Sequence, residues 1–210
     1  MSRFLVVFDV DSTLIEDEVI ELLAEAAGKR AEVKAITDSA MAGELDFSAS
    51  LSARVAMLAG VDERALHEAF SRIKVTTGAV EFINAIHSAG GKVAAVSGGF
   101  IQVLEPLAKQ LGLDFYRANC LEISDGKLTG KTTGLVVDRS VKADSLREWA
   151  KELDLTPSQT IAVGDGANDL EMMSVSGLGV AFNAKPLVRA SADLVIAGES
   201  LESLIAILPH

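Results

Sequence analysis

Near its N-terminus the chain reads Phe4-Leu5-Val6-Val7-Phe8-Asp9-Val10-Asp11-Ser12-Thr13-Leu14, an apolar run that ends in two alternating carboxylates. A short run rich in Val and Phe is typical of a strand buried on both faces, as in a parallel sheet. Ligands bind at the carboxyl ends of such strands, so Asp9 and Asp11 would arrive at a binding crevice. The same two residues would also suit a turn or the cap of the next helix, and this segment alone leaves both interpretations open.

The composition indicates a folded, acidic protein. The 210 residues carry a net charge of −11, which repels nucleic acid and anionic membrane surfaces. A small phosphorylated substrate stays possible if local lysines, amides and a divalent cation outweigh the global charge. The single Cys120 allows no internal disulfide and favours a reducing compartment. Because we find no secretory leader and no apolar run of membrane-spanning length, we expect a cytoplasmic protein, either a monomer or a homodimer.

A helical block interrupts the pattern of strands. Between about residue 17 and residue 74, apolar residues recur at helical spacing in four successive groups that glycines separate. So long a helical block between one strand and the next βα unit indicates an inserted subdomain. We therefore predict a core domain of residues 1–16 and 75–210 and a helical cap of residues 17–74, the cap segment, which acts as a lid over the site.

The rest of the chain alternates helices with short apolar strands. An Asp125-Gly126-Lys127 turn between the extended runs of Phe115–Leu135 predicts a small antiparallel hairpin, and Leu201–Leu208 predicts a final helix. Besides the first strand, core strands are predicted at Gly91–Val96, Thr160–Val163, Gly179–Phe182 and Asp193–Ile196. The predicted fold class is α/β, a Rossmann-like parallel-sheet core of at least five strands with an inserted helical-bundle cap and a small β-hairpin.

Polar groups follow these strands or begin a helix at four places. They are Asp9 with Asp11, Ser97-Gly98-Gly99, Lys142, and Asp165 with Asn168 and Asp169. Phosphoryl transfer needs a positioned nucleophile, cations against developing charge and an acid for the leaving group, and each has a candidate here. Aspartates from two strands form an oxygen-rich site suited to Mg²⁺, and a hydroxyl with two glycines at a helix start suits an anion. Taken singly these signals are weak, and Lys142 by itself better suits a solvated helix end.

Together the motifs resemble, in order and spacing, those of the haloacid-dehalogenase-type phosphatases. The matching segments are Asp9-Val10-Asp11-Ser12-Thr13, Ser97-Gly98-Gly99-Phe100, Lys142 and Gly164-Asp165-Gly166-Ala167-Asn168-Asp169. The resemblance implies that Asp9 is the nucleophile that becomes a phosphoaspartate. It implies that Asp11 is the general acid and then the base. Two carboxylates beside one phosphate can diverge in pKa, so that one is protonated while the other attacks.

The resemblance also implies the ligands of the metal and of the phosphate. Mg²⁺ would be held by Asp9, Asp165 and the backbone carbonyl of Asp11. The transferring oxygens would be gripped by Ser97, Gly98, Gly99 and Lys142. Asn168 would add a substrate contact, and Asp169 would orient the site without binding the metal directly.

Within that superfamily the resemblance extends, cap segment included, to the phosphatases that hydrolyse phosphoserine. It implies that Glu18 meets the substrate ammonium and Arg54 its carboxylate, with Met41 and Phe47 as apolar contacts. The implied reaction converts O-phospho-L-serine to L-serine and phosphate, the last step of serine biosynthesis. Composition alone favours ordinary exposed helix residues at Glu18 and Arg54.

Two other functions stay open. A related phosphatase or phosphotransferase would act on another small phosphomonoester, such as phosphothreonine or phosphohomoserine. A receiver-like signalling module also places acidic residues and a lysine around Mg²⁺ on a parallel sheet, and it would take phosphate and hold it. The second acid, Asp11, and the helical cap segment argue against the receiver, which requires neither.

Overall fold

The computed structural model describes residues 2–209, and a sheet of seven strands forms its centre. In chain order the strands are β1 (Leu5–Phe8), β2 (Lys92–Phe100), β3 (Phe115–Ser124), β4 (Lys127–Thr133), β5 (Thr160–Gly164), β6 (Leu178–Phe182) and β7 (Leu194–Ile196). They lie side by side in the order β4-β3-β2-β1-β5-β6-β7. Neighbouring strands pair in parallel except β3 and β4, which pair antiparallel. The predicted α/β fold class is therefore confirmed.

Helices cover both faces of this sheet. Four of them lie between the first two strands, in the cap segment: α1 (Val19–Ala26), α2 (Arg30–Met41), α3 (Phe47–Ala56) and α4 (Arg64–Arg72). The others are α5 (Ala79–Ser88), α6 (Ile101–Leu111), α7 (Arg139–Glu152), α8 (Leu170–Val175) and α9 (Pro186–Arg189). Short 3₁₀ helices span Pro157–Gln159, Ala167–Asp169 and Leu201–Ile207, and a π-helical turn spans Val10–Leu14.

Strand β1 is the centre of the core because successive side chains point to opposite faces and both faces are covered. On one face Phe8 meets Phe82 of α5 edge to face, with ring centroids 5.7 Å apart. On the other face Val7 belongs to the apolar cluster that includes Leu146 and Trp149 of α7. All four residues of β1 are buried, as an apolar run without alternation predicts.

Two predicted elements differ in detail from the structure. The first half of the predicted hairpin is a core strand, since Phe115–Asn119 pairs in parallel with β2 before Cys120 begins the pairing with β4. The sheet therefore has six parallel strands, in agreement with the predicted minimum of five. The last helix takes the tighter 3₁₀ form, because three residues per turn bring Leu201 and Leu204, both fully buried, onto one face.

The cap segment is joined to the core by hydrogen bonds at two places. Where the chain crosses, the amide of Glu16 donates to the carbonyl of Lys74 at 2.9 Å, and Ile15 bridges Val75. The loop between α3 and α4 forms a second ladder with the hairpin, since Asp62 bridges Lys127 in antiparallel pairing. In that ladder the amide of Gly60 donates to Leu128 at 2.8 Å, and the amide of Glu63 to Gly126 at 2.9 Å.

The helices within residues 2–209 are short or amphipathic. None of the helices there combines the length and the apolar character that crossing a bilayer requires.

Candidate active site

Asp9 and Asp11 lie where β1 ends, in the middle of the sheet. The amide of Asp9 still donates to Val163 of β5 at 2.8 Å, and the chain then turns sharply. Ser12 takes the left-handed conformation, with φ 58°, which is uncommon for a residue with a side chain. This turn places both carboxylates on the side of the sheet that faces the cap segment, and the Ser12 hydroxyl donates to Glu18 at 2.8 Å.

Lys142 forms buried ion pairs with both Asp9 and Asp169. Its ammonium lies 2.5 Å from Asp9 Oδ1 and 2.7 Å from Asp169 Oδ1, and the lysine side chain is completely buried. Burial alone would lower the pKa of Lys142, but the carboxylates of Asp169 and Asp9 raise it above its ordinary value. Burial raises the pKa of Asp9 well above its ordinary value, Asp169 adds to that rise, and Lys142 opposes it. The lysine is therefore a permanent cation that compensates two buried carboxylates.

Ser97, Gly98 and Gly99 end β2 beside Asp11. The Ser97 hydroxyl donates to Asp11 Oδ2 at 3.0 Å, and the amide of Val19 donates to Asp11 Oδ1 at 2.8 Å. Burial raises the pKa of Asp11, and these two hydrogen bonds oppose the rise. A Cβ at Gly98 would lie 2.6 Å from the Phe47 ring and one at Gly99 2.8 Å from Asp11, so neither position admits a side chain without displacing a neighbour.

Asp165, Asn168 and Asp169 follow β5. Asp169 Oδ2 accepts from the amides of Asp165 and Gly166 at 3.1 and 3.0 Å, which holds the loop in place. Asp165 Oδ1 accepts from the Thr13 hydroxyl at 3.3 Å. Burial, with the charge of Asp169 next, raises the pKa of Asp165 to about 7. The loop therefore brings a third acidic side chain against the end of β1.

The donor set fits a hard divalent cation. Carboxylate oxygens of Asp9, Asp165 and Asp169 lie within 4.8 Å of one another, and all three residues are buried. Both oxygens of Asp169 already accept hydrogen bonds, from Lys142 and from the loop amides, which leaves Asp9 and Asp165 as the freer ligands. Asn168 Oδ1 is buried and has no hydrogen-bond partner among residues 2–209. An all-oxygen set of this kind suits Mg²⁺ better than a softer metal.

The cap segment contributes a cation and an anion to the same cavity. Arg54 is 3% exposed; its Nε donates to Ser50 and its Nη1 to Thr37, while Nη2 has no partner among the described residues. Burial lowers the pKa of Arg54, and the carboxylates of Glu18 and Asp11 oppose that fall. Burial, followed by the charge of Asp11, raises the pKa of Glu18 well above its ordinary value. The cavity therefore has opposite charges on its cap side.

The predicted site residues come together in one place. The cavity is lined by Asp9, Asp11, Glu18, Ile20, Met41, Phe47, Leu51, Arg54, Gly98, Gly99 and Asn168. Ser97, Lys142, Asp165 and Asp169 lie behind that wall, in contact with Asp9, Asp11 or each other. The cavity has room for at least one water molecule.

Several residues in this wall or in contact with it are absent from the predicted site. Ser12 donates to Glu18 and Thr13 donates to Asp165. Both residues belong to the motif Asp9–Thr13, so their place in the sequence could have identified them as site residues. Ile20 and Leu51 face the cavity from α1 and α3 but are indistinguishable in sequence from core residues of an amphipathic helix. Thr37, which holds Arg54 from α2, carries no sequence signal either.

Comparison with known proteins gives consistent results. A family model described as haloacid dehalogenase-like hydrolase matches residues 6–174. A phosphoserine phosphatase of Streptomyces coelicolor is 52% identical over 97% of this chain, which spans only 50% of that protein. One of Streptococcus thermophilus is 49% identical over 97% of this chain and 95% of its own length. A solved structure described as a phospho-aspartyl intermediate analogue of phosphoserine phosphatase aligns over 100% of both chains, with a TM-score of 0.97 and 40% identity.

Proposed function

The chain belongs to the haloacid dehalogenase-like hydrolases, and from that premise we propose that it is a Mg²⁺-dependent phosphoserine phosphatase. The reaction would convert O-phospho-L-serine to L-serine and phosphate through a phosphoaspartate, as the last step of serine biosynthesis. One observation carries the choice of substrate. The cavity that contains Asp9 and Asp11 also contains Glu18 and the buried Arg54, whose Nη2 has no hydrogen-bond partner among residues 2–209.

Asp9 would attack phosphorus. Its carboxylate has to be ionised for this, and burial works against ionisation, so the contact with Lys142 at 2.5 Å serves to keep the charge available. Asp169 would keep Lys142 in place from its other side. When bound by Asp9, Asp165 and the backbone carbonyl of Asp11, Mg²⁺ would supply positive charge against the phosphoryl oxygens.

Asp11 would manage the proton. In the first step its protonated carboxyl would donate to the seryl oxygen as the bond from that oxygen to phosphorus breaks and the bond from Asp9 to phosphorus forms. In the second step the Asp11 carboxylate would accept a proton from the water that attacks phosphorus and releases Asp9. A raised pKa suits both roles, because the group must hold a proton in one half of the cycle and lose it in the other.

The phosphate would be gripped from the core. The Ser97 hydroxyl, the amides of Gly98 and Gly99, the Lys142 ammonium and Asn168 would contact its oxygens. The absence of side chains at the two glycines supports this role, since a Cβ there would occupy space at the wall of the cavity. The Nδ2 of Asn168 would donate to a phosphate oxygen, and the buried Oδ1 of the same carboxamide, which has no hydrogen-bond partner among residues 2–209, is free to accept from a donor or a cation in the site.

The serine part of the substrate would be bound by the cap segment. Arg54 would bind the carboxylate and Glu18 the ammonium, with Met41 and Phe47 closing over the carbon chain. Residues 17–74 would then act as a specificity lid on a core of residues 1–16 and 75–210. We further propose that the protein works in the cytoplasm as a monomer or homodimer on this small molecule.

Steady-state kinetics on a panel of phosphomonoesters tests the proposal. With Mg²⁺, phosphate release from phosphoserine should exceed that from phosphothreonine and phosphohomoserine, and Asp9→Asn should abolish it. Equal or faster turnover of another panel member would indicate a related phosphatase in its place. Stable phosphorylation of the protein without turnover would indicate a receiver-like module.

A further inference from the structure

Asn119 is a buried side chain that none of the sequence motifs includes. It is 1% exposed and stands at the last position where β3 pairs with β2. Its Nδ2 donates to the carbonyl of Gly98 at 2.8 Å, and its Oδ1 accepts from the amide of Val137 at 2.8 Å. A carbonyl only accepts and an amide only donates, so these two partners determine the orientation of the carboxamide.

The Asn119 side chain supplies a hydrogen bond that the β2–β3 pairing lacks at Gly98. Pairing between β2 and β3 runs to Ser97 opposite Ala118 and resumes with Phe100 opposite Asn119, so the two glycines bulge out of the ladder. Backbone carbonyls in such a place need a hydrogen-bond partner from elsewhere. For Gly98 the partner is the Asn119 side chain.

This contact also sets the direction of the next amide. The carbonyl of Gly98 and the N–H of Gly99 belong to one planar peptide and point in opposite directions. With the carbonyl held by Asn119, the N–H of Gly99 points to the other side, where it donates to Ser97 Oγ at 2.7 Å. The Ser97 hydroxyl in turn donates to Asp11 at 3.0 Å.

The second contact of Asn119 reaches the segment that carries the lysine. Val137 is buried and precedes Asp138, whose side chain accepts from the first amides of α7. Lys142 lies in the first turn of that helix. One carboxamide therefore spans the two segments from which the phosphate grip is built.

We propose that Asn119 is a positioning residue for the transferred phosphoryl group, acting by aiming the Gly98–Gly99 peptide and anchoring the start of α7. This inference rests on the proposed function, in which those groups hold phosphate. Asn119→Asp tests it with almost no change of shape. The carboxylate can still accept from Val137, but it cannot donate to Gly98 and would repel that carbonyl.

The experiment measures phosphate affinity as well as turnover. With saturating Mg²⁺, Asn119→Asp should lower kcat on phosphoserine roughly 10- to 100-fold, and it should weaken inorganic phosphate binding, measured by calorimetry, about 10-fold. The matched control is Thr160→Val. Thr160 is also 1% exposed and also makes two side-chain hydrogen bonds, to Pro157 at 2.7 Å and from Gly177 at 3.2 Å, at the far end of β5.

The control separates positioning from stability. Thr160→Val should leave kcat and phosphate affinity within about twofold of the wild type while lowering the melting temperature, because loss of buried hydrogen bonds destabilises without moving the site. If Asn119→Asp does not fold, Asn119→Ser is used as the test variant, because it removes the Nδ2 donor without adding a charge. Phosphate affinity equal to that of the wild type in a folded Asn119 variant would overturn the inference. An inactive wild type would instead overturn the proposed function.

Discussion

Replacing Lys142 with Met tests whether charge compensation holds the site together. The substitution keeps the length of the side chain and removes its charge. Because the ammonium lies 2.5 Å from Asp9 and 2.7 Å from Asp169 in a completely buried position, its loss leaves two carboxylates facing each other without a cation. Removing one partner of a buried ion pair costs roughly 3–5 kcal/mol of unfolding free energy. A typical domain has about 5–15 kcal/mol, so the variant should fold with a much lower stability.

The unfolding free energy that Lys142→Met loses should be larger at high pH than at low pH. Burial already raises the pKa of Asp9, and replacing the lysine removes the charge that opposes that rise. A carboxyl whose folded pKa lies above its unfolded value destabilises the fold increasingly as pH rises from about 4 through the folded pKa. Lys142→Met should therefore lose most stability at pH 8 and less at pH 5, where Asp9 takes up a proton.

Urea unfolding at both pH values, in EDTA so that no divalent cation replaces the ammonium, measures these differences. Lys92→Met is the matched control, because Lys92 pairs with Asp114 at 2.6 Å but is 41% exposed. An exposed pair contributes less than about 1 kcal/mol. Adding Asp169→Asn to Lys142→Met should recover part of the loss. If Lys142→Met lowers the unfolding free energy no more than Lys92→Met does, or lowers it equally at both pH values, Lys142 does not compensate the buried carboxylates.

Four further outcomes are expected. Arg54→Lys should raise KM for phosphoserine at least about 10-fold in steady-state kinetics, because an ammonium cannot bind a carboxylate through two parallel hydrogen bonds; an unchanged KM would contradict this. Mg²⁺ should raise the melting temperature of the wild type, and Asp165→Asn should lose most of that rise, whereas an equal rise in both would exclude Asp165 as a ligand. A disulfide between Asp62→Cys and Lys127→Cys should leave activity unchanged, because we expect the cap segment to open away from the ladder between residue 62 and the hairpin. The Cα atoms of such a bridged pair stand about 4.5 Å apart, which suits a disulfide. Loss of activity that a reductant restores would show that this ladder must break. Asp138→Ala should lower the unfolding free energy by about 1 kcal/mol at pH 7 and by less near pH 3. Burial would raise the pKa of Asp138, but its hydrogen bonds to α7 outweigh burial and hold that pKa below its ordinary value, so the cap is lost as the carboxyl protonates at low pH. Urea titrations in which wild type and variant differ equally at both pH values would contradict this.

Much of the fold could be predicted from local patterns. Strand β1 is an apolar run without alternation, and burial on both faces is the physical reason for that pattern. Helix α5 is also visible locally, since apolar residues recur at helical spacing over Ala79–Ser88 and form the buried face of that helix. The dual role of β3 could not be predicted, since its half-buried residues near the sheet edge carry a mixed pattern that fits a hairpin equally well.

The candidate site divides in the same way. The residue types at the ends of β1, β2 and β5 could be predicted locally, because a strand that ends in Asp or Ser-Gly-Gly is visible within a few residues. Two features depend on the folded chain. Lys142, 133 residues away from Asp9, compensates its charge. Arg54 is buried, and its Nη2 has no partner in the described part of the chain. The reason is physical: periodicity records the burial of one segment at a time, whereas an ion pair, an unpartnered donor and the support of a loop by Asn119 depend on which distant segments the fold brings into contact.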